Sequence, residues 1–148
     1  MATITSVIPR PTSYAGIWGW MTTVDHKRIA VLYGVTAFIF MLIAGIEAGV
    51  IRMQLASADN DLIAPGAYNQ MFTMHATTMV FMVIMPLSVS FFNFVIPLAI
   101  GARDVAFPRL NALSFWIFLF GGILMHVSFV VGQVPDAGWF SYANLSEK

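Results

Sequence analysis

Residues 71–100 read MFTMHATTMVFMVIMPLSVSFFNFVIPLAI, and this run decides the fold. It contains no Asp, Glu, Lys or Arg, and it exceeds the roughly 20 apolar residues with which a helix crosses a bilayer core. Near its start, inside the stretch Tyr68–Met79 (YNQMFTMHATTM), lies one histidine, His75. An imidazole at membrane depth is costly unless something binds it, so His75 is a functional candidate by position alone. Pro86 and Pro97 interrupt the run. They predict a kink near Pro86 and a helix end around Pro97.

Working outward, Ile29–Ile51 is a second such run, broken only by Glu47 and closed by Arg52. At 1.5 Å per residue it reaches about 35 Å, enough to cross a core of about 30 Å with some tilt. Gly34, Gly45 and Gly49 on it would permit close helix contact or the approach of a ligand. Leu110–Val134 is a third span and carries His126. The expected organisation is therefore all-α, with three transmembrane helices over residues 29–52, 67–100 and 110–134. Residues 1–28 form a polar arm and an interfacial segment, with Trp18 and Trp20 suited to a membrane-interface belt. Residues 53–66 and 101–109 connect the spans, and 135–148 leave the membrane with Trp139 and Tyr142. No cleavable signal precedes the first span, which is expected to be retained as a signal-anchor.

Composition agrees. The 148 residues are 59% hydrophobic and 9% charged, against about 25% charged in soluble domains. Seven basic residues balance seven acidic ones, so there is no electrostatic case for nucleic acid. With no cysteine, disulfides and thiolate metal sites are excluded. Arg10, Lys27 and Arg28 precede the first span, and Arg103 and Arg109 separate the second from the third. Only Arg52 and Lys148 lie on the other side, which places the N-terminus in the cytoplasm. Three helices shield this many intramembrane polar groups poorly, so further helices are expected around them.

Four polar groupings carry candidate chemistry. His75 shares its helical face with Tyr68, Met71, Phe72, Thr78, Met79 and Met82. A haem needs that pattern, an axial imidazole among flat apolar walls; an imidazole hydrogen-bonded to a neighbouring helix accounts for it equally. Zinc would want three or four ligands, and none stands nearby in sequence. Arg52 can lie at the depth of His75 and bond a haem substituent, or snorkel to headgroups. Asp104, flanked by Asn93 and Asn111 at the cytoplasmic end, either forms a water-filled proton entry or serves as ordinary capping and loop solvation. His26, within Asp25-His26-Lys27-Arg28, reads as a solvated collar residue, and His126 as a packed or interfacial histidine.

Taken together, these residues resemble the N-terminal part of subunit I of the haem–copper terminal oxidases. The resemblance rests on Thr23–Arg28, on Tyr68–Met79, on Gly101-Ala-Arg-Asp-Val-Ala-Phe-Pro-Arg-Leu-Asn111, on Leu113–Trp116 and on Gly138-Trp139. It implies that His75 is one axial ligand of a low-spin haem, taken here as haem a, although an arginine near the ring edge does not distinguish formyl from methyl. It implies that Arg52 bonds that haem's ring substituent, that Tyr68 and Met79 line its pocket, and that Trp139 stands near its propionates. It makes Asp104 the mouth of a proton-uptake path, with Asn93 and Asn111 following it inward. The chain would then be the first three helices of a bundle of about twelve, in a bacterial plasma membrane. A second haem ligand, the haem–copper centre, a copper-carrying subunit II and cytochrome c as donor would all lie outside it.

Departures from the family's pattern sharpen the reading. Met74-His75-Ala76 replaces the commoner His-Gly, a small-for-small change. Asn111-Ala112 keeps the first of a usual Asn-Asn pair, and Gln54 stands where mitochondrial-type members carry a glutamate of a cation site. Quinol-oxidising members carry an added arginine and histidine where this chain has Ile43 and Ala67. This favours a cytochrome c oxidase, with a quinol oxidase piece as the alternative and a haem-less structural or assembly fragment as a third reading. The chain would not reduce oxygen alone.

Overall fold

The computed structural model describes residues 16–147; the expected arm at 1–13, Tyr14, Arg10 and Lys148 lie outside the described residues. Among the described residues there is no strand, and three helices are long and apolar enough to cross a membrane: His26–Gln54, Pro65–Ala99 and Pro108–Val131. A short helix, Ile17–Met21, precedes them. It is tied to the first span by Arg28, whose guanidinium donates to the Gly19 carbonyl at 3.3 Å and lies 5.7 Å from the Trp20 ring centroid.

Local chemistry sets each boundary. The first span begins at His26 because the Asp25 carboxylate accepts the Lys27 N–H at 2.8 Å, satisfying one of the helix's orphan donors. The connection to the second span folds onto Gln54, whose amide donates to the Asn60 carbonyl and accepts the Ile63 N–H. Pro65 opens the second span at a position where its missing N–H costs nothing. That span ends two residues beyond Pro97: the Ala102 N–H reaches the Pro97 carbonyl and the Gly101 N–H the Leu98 carbonyl, with Gly101 at φ +69°. This is a Schellman ending, and glycine takes its left-handed residue without strain.

Around Pro86 the helix does not break; it widens. Thr78–Ile84 is π-helical and continuous with the α-helical segments on either side. A proline ring would clash with the carbonyl four residues before it and supplies no N–H to that carbonyl. A wider turn directly upstream relieves the clash without a break.

The first span is central. A third of its apolar window is buried within the chain, against 11% for each of the other two. It runs antiparallel to the second: the Ser90 hydroxyl donates to the Ala30 carbonyl at 2.7 Å, and His75 Nδ1 donates to the Ala44 carbonyl at 3.0 Å. Partners thus descend from 90 to 75 as the first span climbs from 30 to 44. Ile29, Tyr33 and Phe115 form the core between the first and third spans, with Tyr33 edge-on to Phe115 and stacked on Phe118. All three helices meet most closely at Gly122. A side chain there would stand 2.6 Å from Phe40 and 2.9 Å from the Met82 sulfur. Gly34 also marks a close contact, since a side chain there would stand 3.1 Å from Ser90 Oγ, whereas Gly45 and Gly49 have open space and mark none among the described residues.

Candidate functional site

His75 is half-buried, about three helical turns into the second span. An imidazole bonded to a backbone carbonyl must donate, so the Nδ1–H engages Ala44 and Nε2 keeps its lone pair. No hydrogen bond takes Nε2 among the described residues. Metal-ligating histidines commonly show this pattern, one ring nitrogen fixed by a carbonyl and the other presented. Among the described residues no group of three His, Asp or Glu surrounds it. A metal held by His75 would therefore draw its other ligands from a cofactor or from elsewhere. The donor chemistry fits an axial haem position.

The expected neighbours divide between two faces. The second span turns Thr78 and Met82 toward the third span: Thr78 is fully buried and bonds His126, and the Met82 sulfur abuts Gly122. Thr78 is still placed by the α-helical turn through Thr77, whereas Met82 lies inside the π turn, which shifts it from the phase that α-helical spacing gives. Tyr68 and Phe72 instead line a cleft of about 270 Å³ with Asn69, Asp136, Gly138 and Tyr142. The tail closes this cleft by donating the buried Gly138 N–H to Thr73 Oγ1 at 2.9 Å, while Thr73 itself donates to the Asn69 carbonyl. Trp139 follows directly and is 43% exposed, packed on Phe140. Met79 lies in the π turn one residue past Thr78 and is half-buried. Arg52 lies in the last turn of the first span, exposed, with no hydrogen bond or ion pair among the described residues.

At the opposite end, Asn93 and Asn111 meet directly, the Asn93 amide donating to Asn111 Oδ1 at 3.1 Å. The Asn111 amide nitrogen is buried without an acceptor among the described residues. From Asn111 a short polar chain runs inward. Ser114 Oγ donates to the Asn111 carbonyl at 2.7 Å, which leaves it to accept the Tyr33 O–H at 2.9 Å. Asp104 caps its own turn by accepting the Val105 N–H and pairs with His26 Nδ1 at 3.0 Å.

His26 is not the solvated collar residue its charged neighbours suggested. It is 3% exposed, and its Nε2 is buried without a partner among the described residues. The flanking Asp25 and Lys27 are exposed, yet helical rotation from the Asp25 cap turns His26 inward onto the 101–109 turn. No local signal reveals this, because its partner stands 78 residues away.

His126 has polar company that its own helix does not predict. Its Nδ1 donates to the Gly122 carbonyl at 2.8 Å, Thr78 Oγ1 is 3.4 Å from Nε2, and Glu47 Oε1 is 4.0 Å away. Glu47 is 5% exposed, and neither carboxyl oxygen has a hydrogen-bond partner among the described residues.

Comparison with known proteins adds a second line of observation. The family described as cytochrome C and quinol oxidase polypeptide I matches residues 28–148. Cytochrome c oxidase subunit 1 of Bacillus sp. (strain PS3) is 55% identical over 132 residues, 89% of this chain and 21% of the relative. Cytochrome c oxidase subunit 1 of Bacillus subtilis (strain 168) is 55% identical over 130 residues, 88% of this chain and 21% of the relative. Quinol oxidase subunit 1 of the same strain is 45% identical over 131 residues, 88% of this chain and 20% of the relative. The chain spans about a fifth of the length of these curated relatives.

Proposed function

Because the chain belongs to the cytochrome c and quinol oxidase polypeptide I family, a family that implies haem cofactors, we propose that it forms the first three helices of the catalytic subunit of a proton-pumping cytochrome c oxidase. It is a multi-pass membrane protein. In this reading His75 Nε2 is one axial ligand of a low-spin haem, haem a; Arg52 bonds its ring substituent, Tyr68 and Met79 border it, and Trp139 stands near its propionates. A haem so held supplies one-electron iron chemistry.

The observation that carries the reading is the bond from His75 Nδ1 to the Ala44 carbonyl. It orients the ring, fixes the tautomer and raises the basicity of Nε2. Asp104 gathers protons at the basic end, where Lys27, Arg28, Arg103 and Arg109 would make the cytoplasmic face. Asn93 and Asn111 pass them inward by holding water. The remaining helices of the subunit, a copper-carrying subunit II and cytochrome c complete the complex. The higher identity to cytochrome c oxidases than to quinol oxidases, 55% against 45%, supports cytochrome c as the donor, as do Ile43 and Ala67 in place of the quinol members' extra arginine and histidine.

The test is the absorbance spectrum and haem content of the assembled oxidase carrying His75→Ala. Loss of the low-spin signal is expected. An unchanged spectrum and haem content would sink the assignment, and turnover with quinol but not with reduced cytochrome c would reverse the choice of donor.

A further inference from the structure

The geometry points to Glu47 and His126 as positioning residues that hold the Ala44 carbonyl in register with the His75 ligand. The inference rests on the reading of His75 as a haem ligand and adds what sets that ligand's orientation.

Neither residue touches His75. Their leverage comes from depth. Gly122 on the third span lies against Phe40 and Met82. One turn on from Gly122 is His126, and one turn on from Phe40 is Ala44, the residue whose carbonyl fixes His75. The His126 ring also lies on Phe40, centroids 5.2 Å apart. His126 therefore stands at the level of the Ala44–His75 bond.

It also contacts both helices that make this bond, one turn from each partner. Glu47 is three residues past Ala44 and Thr78 three past His75. The two spans are antiparallel, so these steps lead toward opposite ends, and His126 is held from both sides in depth. Its Nδ1–H is committed to Gly122, so Nε2 alone meets Thr78 at 3.4 Å and Glu47 at 4.0 Å. Sliding or rotating the first span against the second would break one of these contacts.

Packing alone does not account for the trio. A buried carboxyl without a hydrogen bond is costly, and an apolar residue of similar size would fill the space without that cost. Polar groups at a packed helix junction instead specify one register among several. Here that register places a carbonyl opposite the ligand's Nδ1–H. Weakening that bond lowers the basicity of Nε2 and stabilises ferric iron less.

The assembled oxidase decides it, through the electron paramagnetic resonance g values and the midpoint potential of the low-spin haem. Glu47→Leu and His126→Leu are expected to shift the g values and raise the potential with haem content unchanged. Glu47→Gln and His126→Gln, which keep polar contacts, are expected to restore much of the parental signal. Leu42→Ala, on the same helix but touching neither Glu47 nor His126, is expected to leave it unmoved. Unmoved g values and potential in the two leucine variants would overturn the inference. Should those variants fail to assemble, the near-isosteric Thr78→Val reads the same contact, and an unmoved signal there overturns it equally. If His75→Ala leaves the low-spin haem intact, the haem assignment itself fails, which is a separate outcome.

Discussion

Adding one methyl group at Gly122 tests the three-helix junction. In Gly122→Ala the new Cβ would sit 2.6 Å from Phe40 Cζ, 3.0 Å from Phe40 Cε2 and 2.9 Å from the Met82 sulfur. Ordinary carbon contacts are about 3.5–4.0 Å, so the Phe40 ring must retreat by about 1 Å. Met82 can swing aside on its flexible stem, but Phe40 is backed by Phe118 and His126, at centroid distances of 6.1 and 5.2 Å. Forcing extra volume into such a contact costs about 1–3 kcal/mol. Alanine returns about 1 kcal/mol of helix propensity over glycine, so the net loss is about 0–2 kcal/mol. The neighbouring Gly121→Ala removes that ambiguity, because a side chain at Gly121 meets nothing within 4 Å. It carries the same propensity gain and none of the clash. The stability difference between the two variants should equal the packing term, about 1–3 kcal/mol in favour of Gly121→Ala. Unfolding of the detergent-solubilised protein in increasing dodecyl sulfate measures it. Equal stability of the two variants would refute the close approach of the helices at Gly122.

Two further predictions concern the basic end. Asp104→Asn removes the group proposed to collect protons, and oxygen reduction should slow and pumping fall in the assembled oxidase; normal proton uptake by vesicle-reconstituted enzyme would count against that role. His26→Leu leaves Asp104 without its partner and should destabilise the 101–109 turn by about 1–3 kcal/mol. Faster hydrogen exchange at Val105 and its neighbours is the expected readout, and unchanged exchange would show that the pair does not hold the turn.

Much of the candidate site was legible in the chain, though unevenly. His75 stood out because a lone imidazole in an uncharged run is rare for a physical reason. Asn93, Asp104 and Asn111 stood out as polar groups clustered at one end, and the structure does bond the two asparagines to each other. His26 was read from its neighbours in sequence and came out buried on Asp104. The glycines suggest the same limit. Of the three glycines on the first span, Gly34 does meet the second span at Ser90, but Gly45 and Gly49 face open space and the tighter approach is at Gly122.

By itself the sequence determined the three spans, their all-helical character and the family. Run length, absence of charge and proline punctuation act through local backbone chemistry, which the chain carries residue by residue. Only the tertiary structure decided how the helices are phased and which polar groups meet. The π turn over Thr78–Ile84 shifts the phase of the residues within and beyond it, and Met82 comes to abut Gly122 on the third span. Helix packing likewise brings Glu47, Thr78 and His126 together from three helices. No periodicity anticipates it, because the contact depends on how three separate cylinders rotate against one another. For His75, the chain put an imidazole at membrane depth, and the packing supplied the Ala44 carbonyl that fixes one of its ring nitrogens.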